Sequence, residues 1–164
     1  MIRRLAILLG MLSACFDGPG RPRPGDVWIS EVVTAGETDW IELENRTDRP
    51  FDLDGIWVSD SESKLMRHQL PGKDRLVIVP RGHLVLTADG DSARGPLHLP
   101  FSLSKAGEPV SISTRDGTPI DRVSVPPMKA GQSFARLGEQ LIVCGTPTPG
   151  ASNACGEEAP ILTD

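Results

Sequence analysis

Two serine–lysine pairs in this sequence have the spacing of a catalytic motif. Ser61 precedes Lys64 by three positions, and Ser102 precedes Lys105 in the same way. A lysine at this spacing can help to activate a serine nucleophile for acyl transfer. The Ser-Asp-Asn and Lys-Thr-Gly elements that accompany such a pair in serine acyl-transfer enzymes are missing from the sequence. We therefore expect no catalysis at either pair.

Glu42 is a second candidate for chemistry, because it is an acid within a strand that is predicted to lie in the core. It could act as a catalytic or ligand carboxylate. It could instead accept hydrogen bonds from backbone N–H groups or from an arginine such as Arg122 or Arg136. No second acid or nucleophile can be identified as its partner, so we expect the structural role and assign no catalytic residue.

Metal ligation is the next possibility. The three histidines, His68, His83 and His98, do not have metal-ligand spacing with one another or with a cysteine. Asp89 and Asp91 flank a glycine and could present oxygens to calcium, but no closing glutamate follows them as in an EF-hand. Aspartates at turns also accept hydrogen bonds from their own backbone. We expect no metal or other cofactor, with calcium at Asp89 and Asp91 as the alternative.

The N-terminus, residues 1–14, has the layout of a signal peptide. Two arginines precede the apolar run Leu5–Leu12. As a helix this run would span only about 12 Å, well short of a bilayer core of about 30 Å. It ends in Leu12-Ser13-Ala14-Cys15, which resembles the lipobox of bacterial lipoproteins. The resemblance implies cleavage before Cys15 and acylation of that cysteine, which would anchor the chain to a membrane. The alternative is an ordinary signal peptide followed by an unmodified cysteine.

Residues 15–26 are predicted to be the acylated cysteine and a linker rich in proline and glycine. Prolines favour extended polyproline II, at about 3.1 Å per residue, so the linker would hold a folded domain roughly 30 Å from the lipid. Arg21 and Arg23 could contact anionic headgroups, and the alternative is a solvated tether.

The remaining composition fits one globular domain, residues 27–155, followed by an acidic tail at 156–164. The chain has 164 residues, of which 38% are hydrophobic, with 17 glycines and 15 prolines spread among short apolar runs. Residues 1–14 contain two arginines and no acid, so the rest of the chain has 15 basic and 22 acidic side chains and a net charge of −7. An acidic domain is repelled by phosphate backbones, which disfavours nucleic acid as a partner.

Short alternating strands dominate the domain, and no sustained helical period is present. About nine or ten strands with turn signals roughly every ten residues favour an all-β, immunoglobulin-like β-sandwich. Asp116-Gly117 between two alternating runs predicts a hairpin. The predicted strands are Val27–Val33, Trp40–Asn45, Phe51–Ser59, Leu65–Leu70, Leu76–Val79, Leu84–Thr87, Pro109–Thr114, Ile120–Val125, Ser133–Leu137 and Leu141–Val143.

The central pair of this series is Trp40–Asn45 and Phe51–Ser59, predicted to lie side by side. Gly55 within the second strand suggests a bulge or a close backbone contact. The three tryptophans, Trp28, Trp40 and Trp57, could form an exposed binding platform, but their place in early strands favours the core.

Three cysteines are present, and one of them is assigned to the lipid. The remaining two, Cys144 and Cys155, form an even pair in a predicted exported protein, which indicates a disulfide. The bond would staple the last strand to the Thr148-Pro149-Gly150 turn. For a loop this short, the chain-entropy model gives a stabilisation of about 3 kcal/mol.

Five blocks in order resemble the lamin tail domain family, over about residues 27–153. They are Ile29–Val32, Trp40–Asn45, Leu53–Asp60, Phe101–Glu108 and Thr148–Asn153. The family is known from nuclear lamins and from secreted bacterial proteins. The resemblance implies an immunoglobulin-like sandwich with a binding or structural role, and it implies no catalytic residues.

These observations predict a lipid-anchored protein of the cell envelope, on a periplasmic or outer-membrane face or at the cell surface. Its partners would be the lipid bilayer, through acylated Cys15, and an unidentified envelope protein or glycan. The partner would meet a loop such as 88–96 or a strand edge. The alternative is a small exported hydrolase or an accessory subunit of a secreted enzyme.

Overall fold

The structure, a computed structural model, describes residues 18–72 and 76–156. Within these residues the chain forms eleven β-strands and a single short 3₁₀ helix, Ser92–Arg94. The prediction of an all-β sandwich is therefore confirmed, with one or two more strands than expected. The strands are β1 Val27–Val33, β2 Trp40–Asn45, β3 Phe51–Asp52, β4 Trp57–Ser59, β5 His68–Gln69, β6 Val77–Ile78, β7 His83–Thr87, β8 Glu108–Ser113, β9 Pro119–Val125, β10 Ser133–Leu137 and β11 Gln140–Cys144.

One face of the sandwich is an antiparallel five-stranded sheet in the order β11-β10-β1-β2-β7. Ile29 lies opposite Leu43, whereas Glu31 lies opposite Glu42, so Ser30 is an extra residue in β1. This β-bulge changes which side chains of β1 face the core. As a result, two glutamates from neighbouring strands share the outer face of the sheet.

The second sheet is four-stranded, in the order β5-β4-β8-β9. Its β8–β9 hairpin turns at Asp116-Gly117, as the sequence predicts, with Ser113 opposite Pro119. Gly117 has a φ of 86°, a left-handed conformation that glycine adopts without strain. A further two-stranded sheet pairs β3 with β6.

The predicted pairing of Trp40–Asn45 with Phe51–Ser59 is wrong. Strand β2 pairs instead with β1 and β7. The segment Phe51–Ser59 is not one strand, because Gly55, with a φ of 77°, sits in a turn that separates β3 from β4. Each half then joins a different sheet, since β3 pairs with β6 and β4 pairs with β5 and β8. The predicted strand Leu65–Leu70 is also shorter, limited to the two residues of β5.

A single hydrophobic core lies between the sheets. It contains the inward-facing aliphatic residues of β1, β2, β4, β8 and β9, including Ile29, Leu43, Val58, Ile112 and Val123, which are at most 2% exposed. Loop residues such as Leu99 and Phe101 close one end of this core. In β2 the apolar members of the alternation, Ile41 and Leu43, are fully buried in this core.

The described part of the predicted linker contacts the sandwich. The Gly20 N–H donates to Pro50 O at 3.3 Å, and Gly20 O accepts from the Asp52 N–H at 2.8 Å. Arg21 pairs with Asp54, and Pro22 is buried. The expected extension of about 30 Å therefore does not apply to residues 20–25. The predicted signal peptide and Cys15 lie outside the described residues, as does the tail after Gly156.

No helix in residues 18–72 or 76–156 has both the length and the hydrophobicity needed to cross a bilayer.

Candidate binding surface

Glu42 points away from the hydrophobic core, on the outer face of the five-stranded sheet, and it is nevertheless completely buried. Its side chain is 0% exposed. Oε1 accepts hydrogen bonds from Ser30 Oγ at 2.8 Å and from His83 Nδ1 at 2.9 Å, and Oε2 accepts from the Gly150 N–H. The predicted acceptor role, toward a backbone N–H, is therefore what the structure shows. The two arginines considered for it are elsewhere, since Arg122 pairs with Glu62 and Arg136 with Asp121.

Glu31 is a second buried carboxylate that sequence reasoning did not identify. It is 1% exposed and accepts from Ser133 Oγ and from both the N–H and the Oγ1 of Thr148, at 3.0 and 3.2 Å. One sequence signal could have identified Glu31. It follows Ser30 in β1, at the point where the alternation of apolar and polar residues along this strand breaks. A period-two reading places Ser30 outward, and the bulge at Ser30 brings Glu31 outward as well.

Residues 145–155, which we name the strap, cross over these two glutamates. Thr148 binds Glu31 and Gly150 binds Glu42, while Asn153 Nδ2 donates to Ser30 O at 2.8 Å and to Arg136 O at 3.0 Å. The strap explains why an outward-facing acid such as Glu42 is buried. It also replaces the water that the carboxylates would otherwise need as hydrogen-bond donors.

The predicted disulfide between Cys144 and Cys155 is present and closes the strap. Their Cα atoms are 5.0 Å apart, within the range that a disulfide bridges. Cys144 is the last residue of β11, so the bond ties the end of the strap to the edge of the sheet. The disulfide and the carboxylate contacts together fix the strap at both ends and in the middle.

Both serine–lysine pairs lie at the surface. Ser102 and Lys105 are exposed, and within the described ranges no hydrogen bond joins their side chains. Ser61 Oγ lies 3.3 Å from Ser63 Oγ, while Lys64 contributes its backbone carbonyl, which accepts from Ser59 Oγ at 2.6 Å. Neither pair is arranged as a nucleophile with its activating amine.

The three histidines do not share a metal site in the part of the chain that the structure describes. His83 Nδ1 binds Glu42, and His98 Nδ1 binds Asp89 at 2.8 Å. Burial lowers the pKa of His68 below its ordinary value. His68 and His98 line a shallow groove of about 320 Å³ beside the 88–96 loop. Among the residues that the structure covers, no group of three His, Cys, Asp or Glu side chains is placed to hold a metal ion.

The two aspartates considered for calcium have other partners. The Asp89 carboxylate accepts from Arg94, from His98 and from the Asp91 N–H, the last at 3.2 Å. Burial opposes its ionisation, but these hydrogen bonds, with the charges of His98 and Arg94, outweigh burial and lower the pKa of Asp89. Asp91 caps the 3₁₀ helix by accepting from the Ala93 N–H at 3.1 Å. The loop is thus held together by the residues that would have served as ligands.

The tryptophans are half-buried on the surfaces of the sheets, so the prediction that they belong to the core is wrong. Trp28 lies on the five-stranded sheet between two guanidinium groups, Arg46 at 3.9 Å and Arg136 at 4.5 Å from its ring centre. Trp57 donates its indole N–H to Arg115 O at 3.2 Å. At Trp28 the two arginines cover the ring that a binding platform would have presented.

The clearest free apolar surface lies on β11. This strand is at one edge of the five-stranded sheet and pairs on one side only, with β10. Ile142 is 38% and Val143 is 42% exposed, although they point to opposite sides of the strand. The other exposed large apolar residues of the described chain, Met66 and Val79, lie outside the strands. Strand β11 therefore combines an open backbone edge with apolar side chains.

Comparison with known families identifies a match that covers most of the sandwich. The model of the Lamin Tail Domain family matches residues 21–127. The matched region begins at Arg21, inside the predicted linker, and ends before β10, so the strap and β11 lie beyond it. No curated protein matches the chain.

Proposed function

Because the chain belongs to the lamin tail domain family, we propose that it is a binding module held at a cell-envelope membrane by a lipid on Cys15. The immunoglobulin-like fold of the family suits a structural or binding role. The basic start, the short apolar run and the Leu12-Ser13-Ala14-Cys15 sequence support the anchor. Lipid chains would supply lasting attachment without a spanning helix.

The partner in this proposal is an extended segment of an envelope protein that pairs with β11. The observation that carries it is the open edge of β11, with Ile142 and Val143 exposed beside unpaired backbone groups. An extended peptide can add to such an edge, gaining main-chain hydrogen bonds for affinity and side-chain contacts for specificity. A glycan would use the backbone edge less well, because it lacks the regular alternation of donors and acceptors of a strand.

The proposed role is not enzymatic, and the state of Glu42 supports this. The carboxylate has three hydrogen-bond donors and no exposed surface, so it cannot reach a substrate. Its partners come from β1, β7 and the strap, which is the distribution expected of a group that joins elements.

The anchor is tested by Cys15→Ser in the source cell or a bacterial host that acylates lipoproteins. We expect the variant to move from the membrane fraction to the soluble fraction, because the acyl chains have lost their attachment point. The matched control is the double variant Cys144→Ser, Cys155→Ser, which also replaces cysteines but should stay with the membrane. Membrane retention of Cys15→Ser equal to that of the wild type would contradict the anchor.

The edge is tested by Ile142→Lys in a capture experiment on solubilised envelope membranes. A charged side chain on an edge strand disfavours strand addition, so we expect captured proteins to be lost. Val79→Lys is the matched control, since Val79 is 58% exposed and lies away from β11. If both variants capture the same proteins as the wild type, the β11 interface is wrong.

A further inference from the structure

The docked N-terminal segment sets how far an anchored domain can stand from its membrane. Gly20 adds to the sandwich through backbone bonds to Pro50 and Asp52, and the Gly25 N–H donates to Ile120 O at 3.4 Å. Residues 20–25 therefore move with the domain. Only five chain steps separate Gly20 from Cys15, and a fully extended chain of that length reaches at most about 18 Å.

That reach is short compared with the domain itself. A compact domain of this size has a radius of gyration of about 14 Å, which corresponds to roughly 36 Å across. The tether is too short to let the domain turn its far end to the bilayer. The part of the domain around Gly20 must therefore lie close to the lipid.

This part of the domain presents arginines around a groove of about 480 Å³ between the docked segment and the β8–β9 turn. The side chains of Arg21 and Arg115 are 51% and 64% exposed, and both approach the Asp54 carboxylate beneath them, which is 22% exposed. Arg23 is also exposed. One acid, Asp116, lines the groove; it is exposed, and its carboxylate accepts hydrogen bonds from Thr114 Oγ1 and the Thr118 N–H within the turn. Three guanidinium groups, those of Arg21, Arg23 and Arg115, therefore line this groove with a single carboxylate.

Combining the short tether with this charge distribution, we propose that the anchored sandwich stands on the bilayer with Arg21, Arg23 and Arg115 among anionic phospholipid headgroups. This inference rests on the proposed lipid at Cys15. The far end of the sandwich, with loops 34–39, 88–107 and 126–132, then points away from the membrane. The β11 edge runs along the side and stays accessible to a partner.

The test measures energy transfer to vesicles that carry an acceptor dye on their headgroups. Acylated protein is purified from membranes, its N-terminal acyl groups are confirmed by mass spectrometry, and a donor dye is attached to Thr118→Cys or to Ala130→Cys. Thr118 lines the groove, whereas Ala130 follows the far end of β9, a strand about 20 Å long. We expect strong transfer from position 118 and weak transfer from position 130.

Two variants of the labelled protein separate the tether from the charge. Inserting about ten Gly and Ser residues between Gly18 and Pro19 adds roughly 17 Å of average reach and should reduce the difference between the two positions. Arg23→Glu should lower the ratio of surface-bound to lifted domain by roughly fivefold or more on vesicles containing phosphatidylglycerol, and not on phosphatidylcholine alone. Lys105→Glu, an equal charge change at the far end, should have no such effect.

The outcomes distinguish this inference from the proposed anchor. An N-terminus without acyl groups overturns both. An acylated protein with equal transfer from positions 118 and 130 overturns the orientation and leaves the anchor in place. An Arg23→Glu effect no larger than that of Lys105→Glu overturns the headgroup contact.

Discussion

At the scale of single residues, the fold depends on two carboxylates whose burial is matched by dedicated donors. Glu31 and Glu42 are at most 1% exposed, yet each accepts at least three hydrogen bonds from elements distant in sequence. Hydrogen bonds to a charged acceptor are stronger than neutral ones, and a donor left without its acceptor is costly inside a protein. These two glutamates therefore connect the strap to the strands of the five-stranded sheet.

Replacing Glu42 tests this role. Glu42→Ala leaves the Ser30, His83 and Gly150 donors without an acceptor and should lower the free energy of unfolding by about 2–4 kcal/mol. Glu42→Gln keeps one acceptor oxygen and should cost less. Urea unfolding followed by tryptophan fluorescence gives both values.

Glu44→Gln is the control for Glu42, because Glu44 is on the same strand, is 26% exposed, and lies 3.7 Å from Arg46. A change within about 0.5 kcal/mol is expected there. A loss for Glu42→Ala no greater than that for Glu44→Gln would show that the buried hydrogen bonds add little.

At the scale of elements, local sequence predicts the strands better than their partners. The β8–β9 hairpin follows from Asp116-Gly117 because its turn and both strands are contiguous. The partnership of β2 with β7 was not predictable, since it joins Trp40 to Thr87 across a segment that contributes to two other sheets. The burial of Glu42 was equally hidden, because its cover comes from Gly150. The family resemblance and the pair Cys144 and Cys155 both indicate the strap in the sequence, but neither indicates which carboxylates it covers.

Two turn glycines offer a matched test of element geometry. Gly107 precedes β8 with a φ of 89°, and a Cβ there would lie 2.6 Å from Val125 O. Gly131 has a similar φ of 82°, but a Cβ there would meet open space. Gly131→Ala should cost about 1 kcal/mol for the left-handed backbone, and Gly107→Ala should cost at least about 1 kcal/mol more. Thermal unfolding of the two variants gives the comparison, and equal melting temperatures would contradict the backbone clash at Gly107.

At the scale of the whole molecule, the folded domain begins before its first strand. The contacts of Gly20 and Arg21 with residues 50–54, and the burial of Pro22, make the segment before β1 part of the domain. The family match begins at the same place, at residue 21. The prolines and glycines of this segment suggested an extended linker, and composition alone could not show that Asp54 and the β3 backbone would bind it.

Truncation measures the contribution of this segment. A chain that begins at Asp26 should unfold with a free energy about 2 kcal/mol lower than one that begins at Gly18. The shorter chain loses the backbone hydrogen bonds of Gly20 and Gly25, the contacts of Arg21 with Asp54, and a buried proline. Both chains would be compared in urea, with the disulfide intact. Identical unfolding midpoints would show that the segment rests on the domain without stabilising it.

Because the strap lies near the C-terminus, the burial of Glu31 and Glu42 depends on synthesis of nearly the whole chain. Glu31 and Thr148 are 117 positions apart, so their contact forms only after almost the whole chain has been synthesised. A product that stopped before the strap would expose the carboxylates of Glu31 and Glu42 to water. It would also lack Cys155, the disulfide partner of Cys144. Such a fragment would expose the outer face of the five-stranded sheet, which the strap covers in the complete protein. Proteases that degrade incomplete chains could recognise this exposed face.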